Sequence, residues 1–209
     1  MGFAGPVGGS GAGARPGYHR PMDLRGTIEA DRPLLVLAVA EEAAHLDGRL
    51  PVLLTGMGKV NAASAVAAAL ARTPRPTAVV NLGTAGALHP GWAGTHEVGS
   101  VLQHDLDTDF LRQLTGQTFG APLTLGDGPV LATGDQFIAD DEARATLATR
   151  AHLVDMEGYA VASTAQRLGV PVRLIKQVSD EAGAGAVRTW QESVDQCARQ
   201  LADWVRDHL

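Results

Sequence analysis

Between Leu34 and Leu209 the chain alternates short apolar runs with longer segments of helical period, and no other feature restricts its fold so severely. The runs LLVLAVA (34–40), LPVLLT (50–55), TAVVNL (77–82), GSVLQ (99–103), GPVLAT (128–133), HLVDM (152–156) and PVRLIKQVS (171–179) read as strands. Several are apolar on both faces. Between and after them, KVNAASAVAAALAR (59–72), ADDEARATLATR (139–150), GYAVASTAQRLG (158–169) and TWQESVDQCARQLADWVRDHL (189–209) read as helices. Strands buried on both faces and separated by helices predict an α/β fold: a mixed, mostly parallel central sheet flanked by helices. At 209 residues one domain holds all of it. Residues 31–209 are read as that domain, beginning near Pro33, and residues 1–30, rich in glycine and proline with hardly any apolar periodicity, as a disordered tail.

Composition closes off several function classes. The chain is 45% apolar but only 4% aromatic, and its formal charge of −6 comes with no long basic run, so a nucleic-acid partner is not expected. No apolar stretch approaches the roughly 18 residues that a membrane helix needs. Arg15, Arg20 and Arg25 lead into no apolar core of a secretory signal. Cys197, the single cysteine, can form no internal disulfide, which fits a reducing compartment. A cytoplasmic protein is expected.

In parallel sheets ligands bind beyond the carboxyl ends of the strands. The residues standing there are Glu41-Glu42, Gly56-Met57-Gly58, Gly83-Thr84-Ala85-Gly86, Gly134 to Ile138, Met156-Glu157-Gly158 and Ser179-Asp180-Glu181. Three of these strand ends bring a carboxylate to one crevice, which points to acid–base chemistry. GMGKVN (56–61) is a near-miss to a dinucleotide fingerprint: Asn61 replaces the third glycine and no acid ends the next strand, so a plain tight turn is the better reading. Gly83–Gly86 suits either a close-packed turn or, with Thr84 beside bare amides, a seat for an oxygen-rich ligand. HDLDTD (104–109) has no further histidine at ligand spacing and reads as an irregular, solvated loop rather than a metal site. One of Glu41 and Glu42 is expected merely to favour a helix start.

AVAEEAAHL (38–46), GMGKVNAA (56–63), NLGTAGAL (81–88), GDQFI (134–138), VDMEGYAVA (154–162) and VSDEAG (178–183), in this order, resemble the purine nucleoside phosphorylase/nucleosidase superfamily. The branch most resembled is that of the 5′-methylthioadenosine/S-adenosylhomocysteine nucleosidases. The resemblance implies a nucleoside phosphorylase-like fold for 31–209 and the following roles. Asp180, within Ser179-Asp180, matches the general acid that protonates purine N7. Glu42 matches the carboxylate that orients the attacking water. Glu157 matches the acceptor of the ribose 2′- and 3′-hydroxyls, with Met156 alongside the sugar. Phe137 and Ile138 match the positions that hold adenine, and Thr84 falls where relatives carry a serine near sugar and nucleophile. Such chemistry needs no metal or organic cofactor, its partner is a small nucleoside, and the family precedent is a homodimer.

The chemistry suits the residues. Cleaving an N-glycosidic bond passes through an oxocarbenium-like state, and a purine leaves poorly as an anion, so Asp180 has to be protonated near neutral pH. The superfamily divides on the nucleophile. Phosphorylases carry an arginine where this chain has Asn81, and they lack a glutamate matching Glu42, so water is expected. The expected activity is therefore hydrolysis of an adenosine-type nucleoside with release of adenine, 5′-methylthioadenosine and S-adenosylhomocysteine being the leading substrates. A phosphate-dependent phosphorylase, a futalosine hydrolase and a catalytically silent nucleoside-binding protein are the alternatives. The chain departs from the family pattern at Lys176, where nucleosidases usually have arginine, and at Asp155, usually glutamate. It is also short between Glu42 and residue 50 and between His104 and Pro129. Asp155 and Glu157 lie two apart on an extended segment, hence on one side of it. Glu157 has a sugar diol as partner; Asp155 has no assigned partner.

Overall fold

A computed structural model describes residues 22–209. The chain runs through β1 (Asp23–Arg25), β2 (Leu34–Leu37), β3 (Val52–Leu54), α1 (Lys59–Leu70), β4 (Val79–Ala87), β5 (Thr95–Glu97), β6 (Ser100–Gln103), α2 (Thr108–Thr115), β7 (Leu123–Thr124), β8 (Val130–Thr133), α3 (Asp141–Ala148), β9 (Leu153–Asp155), α4 (Gly158–Arg167), β10 (Val172–Asp180) and α5 (Ala186–His208). The ten strands form one mixed sheet in the order β1-β3-β2-β4-β9-β8-β6-β7, and β10 lies beside β4 and β5. β2 with β3, β2 with β4, β4 with β10, β6 with β8 and β8 with β9 are parallel. The α/β expectation of a mixed, mostly parallel sheet flanked by helices is met.

Small residues set the helix packing on one face. Ala62, Ala65, Val66 and Ala69 of α1 meet Ala160, Val161 and Ala165 of α4 over Leu34, Val36 and Leu53 in one buried cluster. On another, Leu201 and Val205 of α5 cover Leu35, Leu37, Leu82 and Ile175. Local capping chemistry fixes the shorter helices: the Asp107 carboxylate accepts from the Phe110 amide to open α2, and Asp140 accepts from Ala143 to open α3.

Four sequence expectations change. β1 pairs antiparallel with β3 inside the stretch read as tail, and Met22, Leu24 and buried Ile28 pack on the first cluster, so the folded unit begins before residue 31. Residues 1–21 of that expected tail lie outside the described residues. Gly83–Gly86 is no turn: β4 continues through it to Ala87, pairing with β10 and then with β9. The 104–109 stretch is not loop throughout, because α2 starts at Thr108 under the Asp107 cap. No helix follows Glu41-Glu42, where the chain forms successive turns before β3. β5, β7 and α2 are too short or too polar to show in a periodicity reading.

Candidate active site

The ends of the strands enclose a cavity of about 260 Å³. Its floor is built from Ala38 and Val39 after β2, Thr84–Gly86 of β4, Val154–Glu157 at the end of β9 and Ser179-Asp180 closing β10. All eight candidate residues, Glu42, Thr84, Phe137, Ile138, Met156, Glu157, Ser179 and Asp180, line this one cavity. Among its described lining residues none is lysine or arginine.

The three carboxylates are buried, with 4% of Glu42, 9% of Glu157 and 7% of Asp180 exposed. Each is held differently. Glu42 Oε1 accepts from both the Thr84 amide and the Thr84 hydroxyl at 2.8 Å, while Oε2 accepts only from the Ala38 amide at 3.3 Å. Glu41, its neighbour, is exposed. Glu157 Oε1 accepts from the Gly58 amide at 2.7 Å, so the GMG turn is part of the site. That turn needs glycine, since Gly56 and Gly58 have φ of 80° and 94°. Burial, with the Asp155 charge beside it, pushes the Glu157 carboxyl up to about 8 against the pull of Lys176 and the Gly58 amide.

Asp180 owes its place to an irregularity. β10 shifts register against β4 between Val178 and Asp180, setting Asp180 opposite Gly86. A Cβ on Gly86 would stand 3.2 Å from Asp180 Oδ1 and 2.8 Å from the Ala182 Cβ, so only glycine admits the acid here. Burial raises the Asp180 carboxyl above the usual carboxylate range, although the Ser179 hydroxyl at 2.7 Å and the Ala182 amide at 2.8 Å oppose the rise.

Asp155 is the acid that the sequence left without a partner, and it faces inward to a buried lysine. Its Oδ2 lies 2.9 Å from Lys176 Nζ and accepts from the Gly158 amide at 2.8 Å, and its Oδ1 accepts from the Thr133 hydroxyl at 2.6 Å. One carboxylate thus joins β8, β9, β10 and the start of α4. Burial alone would lower the Lys176 ammonium, but Asp155, with Glu157 and Glu42 nearby, carries it above its ordinary value. Asn81 serves the framework: its side-chain amide donates to the Val36 carbonyl at 2.9 Å, tying β4 to β2.

Sequence reasoning reached Phe137, and Met57 only as part of a turn, and missed the rest of the outer wall. Met57, Phe137 and Val187 stand at the rim with 47%, 45% and 52% exposure, and Trp190 and Gln191 of α5 complete the lining. Trp190 Nε1 donates to Thr84 Oγ1 at 2.9 Å. The α5 residues read as an ordinary amphipathic helix start; only a tryptophan ten residues beyond Asp180 hinted otherwise.

Comparison with known proteins places the chain in a family and matches its fold. The family model described as the phosphorylase superfamily matches residues 42–122 and 106–208. A 5′-methylthioadenosine/S-adenosylhomocysteine nucleosidase of Staphylococcus carnosus (strain TM300) is 30% identical over 195 residues, which cover 79% of this chain and 83% of that one. The protein of the same name from Geobacillus sp. (strain WCH70) is 29% identical over 214 residues, covering 87% and 90%. Among solved structures, the Helicobacter pylori nucleosidase of that name, in complex with butyl-thio-DADMe-Immucillin-A, superposes with a TM-score of 0.73 at 20% identity over 85% of this chain and 97% of its own. With a family match over most of its length and a relative at 30% identity, the chain belongs to the phosphorylase superfamily, within the N-ribosyl hydrolases typified by the 5′-methylthioadenosine/S-adenosylhomocysteine nucleosidases.

Proposed function

We propose that this protein hydrolyses the N-glycosidic bond of a 5′-substituted adenosine, 5′-methylthioadenosine or S-adenosylhomocysteine in the first place, releasing adenine. The observation that carries the reading is the convergence of Glu42, Glu157 and Asp180 on one cavity whose described lining holds no cation. A phosphate dianion in such a site would meet the Glu42 carboxylate with no lysine or arginine in the described lining to offset it. Water suits the site better.

Each group then has one task. Asp180, whose carboxyl burial raises, gives a proton to N7 as the C1′–N9 bond breaks, so that the bonding pair moves into a neutral purine. Glu157 accepts from the 2′- and 3′-hydroxyls, and its charge stabilises the positive sugar as it forms. Glu42 orients a water towards C1′ and takes its proton as the new C–O bond closes. Met156 sits along the sugar, Thr84 and Ser179 brace the two catalytic acids, and Phe137 and Ile138 flank the base. No step calls for a cofactor.

We also assign the protein to the cytoplasm and to a homodimer. No helix of the described residues is long and apolar enough to cross a membrane. Helix α2 leaves Phe110 and Leu114 more than half exposed, as a second copy of the chain would require.

The test is adenine release from a panel of 5′-substituted adenosines and futalosine in phosphate-free buffer. Turnover without phosphate, unchanged when phosphate is added, is expected. Strict phosphate dependence would overturn the hydrolytic reading, and no release from any nucleoside would favour a binding protein.

A further inference from the structure

We infer that Trp190 is a positioning residue that sets the water-orienting carboxylate through Thr84; the inference rests on the hydrolytic reading above. Two hydrogen bonds lie in series, and a third converges on the same acceptor. Trp190 Nε1–H donates to Thr84 Oγ1 at 2.9 Å, Thr84 Oγ1 lies 2.8 Å from Glu42 Oε1, and the Thr84 amide donates to the same Oε1 at 2.8 Å. An indole N–H only donates, whereas a hydroxyl has a single proton. With Trp190 occupying an acceptor lone pair, the Thr84 proton is directed to Glu42. Donor and acceptor roles along the chain therefore run one way.

The consequence is an asymmetry between the two oxygens of Glu42. Oε1 is filled by two short bonds. Among the described residues Oε2 accepts from the Ala38 amide alone, at 3.3 Å, and retains a lone pair for the proton of the attacking water. Rotation of the carboxylate, which would exchange the two oxygens and misplace the water, has to break both Thr84 bonds. Trp190 stiffens Thr84 against that rotation. A one-ångström misplacement of a water nucleophile is enough to reduce rate strongly.

The arrangement also answers a local problem of this chain. Glu42 sits on turns rather than on a helix, because only about eight residues separate it from the run leading into β3. Helix α5 supplies the missing support from the other side. Asp195 Oδ1 lies 2.7 Å from His45 Nε2 on the same turns, and Ser193 Oγ donates to the Ser179 carbonyl at 3.1 Å. Trp190 is the member of this set that reaches the catalytic group itself, through one intermediate.

Trp190→Phe tests the inference, since it keeps an aromatic ring against the cavity and removes the donor, and the Thr84 variants below separate the donor from the lost bulk. The loss of one hydrogen bond in the series is expected to lower kcat by about 5–10-fold, with KM for the nucleoside within about two-fold and an unaltered melting temperature. Thr84→Ser, which keeps the hydroxyl, should retain kcat; Thr84→Val should lose it, and adding Trp190→Phe to Thr84→Val should cost nothing more. A Trp190→Phe enzyme with wild-type kcat, a loss confined to KM, or full multiplication of the Trp190 and Thr84 losses would overturn the inference. Should Trp190→Phe fold poorly, the contrast of Thr84→Ser with Thr84→Val decides instead, equal kcat in the two overturning it. A wild type that releases no adenine fails the functional reading; a wild type that turns over beside an unaffected Trp190→Phe fails this inference alone.

Discussion

The floor and the rim of the cavity are built on opposite principles. On the floor, Glu42, Asp155, Glu157 and Asp180, with Lys176 behind Asp155, are nearly sealed from solvent, and each is fixed by backbone amides, hydroxyls or a counter-charge. At the rim, Met57, Phe137 and Val187 are about half exposed and apolar. Buried polar groups tolerate no missing partner, so the floor is determined by strand ends and can change little. Apolar rim residues have no partner to lose. Under the proposed hydrolytic reading, bond cleavage belongs to the floor and seating of the nucleoside to the rim.

Substitutions break this contrast most sharply at its most buried point. Lys176→Met should destabilise the fold by about 3–5 kcal/mol, because Asp155 is left charged and unpaired. Urea unfolding measures it, and adding Asp155→Asn should restore part of the loss. If Lys176→Met unfolds like the wild type, the floor is not held by this pair.

Glu157→Gln should come next, weakening nucleoside binding by about 1.5–3 kcal/mol, roughly ten- to a hundred-fold, while leaving stability in place. A pH series sharpens the point. The Glu157 carboxyl is pushed up to about 8, so it holds its proton at pH 7 and has to release it before it accepts two hydroxyls. Binding of an unreactive nucleoside, followed by calorimetry, should therefore tighten as pH rises from 6 towards 8 and level off above. A 2′,3′-dideoxynucleoside should show no such slope, and a flat profile for the riboside would separate Glu157 from the diol.

At the rim effects should be smaller. Phe137→Ala removes a stacking surface of about 1 kcal/mol, raising KM about five-fold, with unfolding within about 0.5 kcal/mol of wild type. A collapse in stability on this change would mean that the rim, too, is structural.

Legibility in the sequence follows the same division. Glu42, Glu157 and Asp180 were visible because each interrupts or ends an apolar run, where a carboxylate calls for a reason. The partner of Asp155 was not, since Lys176 sits mid-strand and alternation cannot say which buried strand lies beside which. The course of β4 through Gly83–Gly86 was hidden because glycines read as turn residues until β9 and β10 are seen to pack against them. Trp190 stayed hidden because its hydrogen bond to Thr84 spans 106 residues of chain.

In the proposed mechanism Asp180 gives a proton to the leaving purine, and a leaving group that needs no proton isolates that step. Wild type and Asp180→Asn should be compared on an adenosine-type nucleoside and on p-nitrophenyl β-D-ribofuranoside, by adenine and nitrophenolate release. Adenine release should fall about 10²–10⁴-fold in Asp180→Asn while nitrophenolate release stays within a few-fold of wild type. Equal loss on both substrates, or adenine release that survives the substitution, would contradict the account.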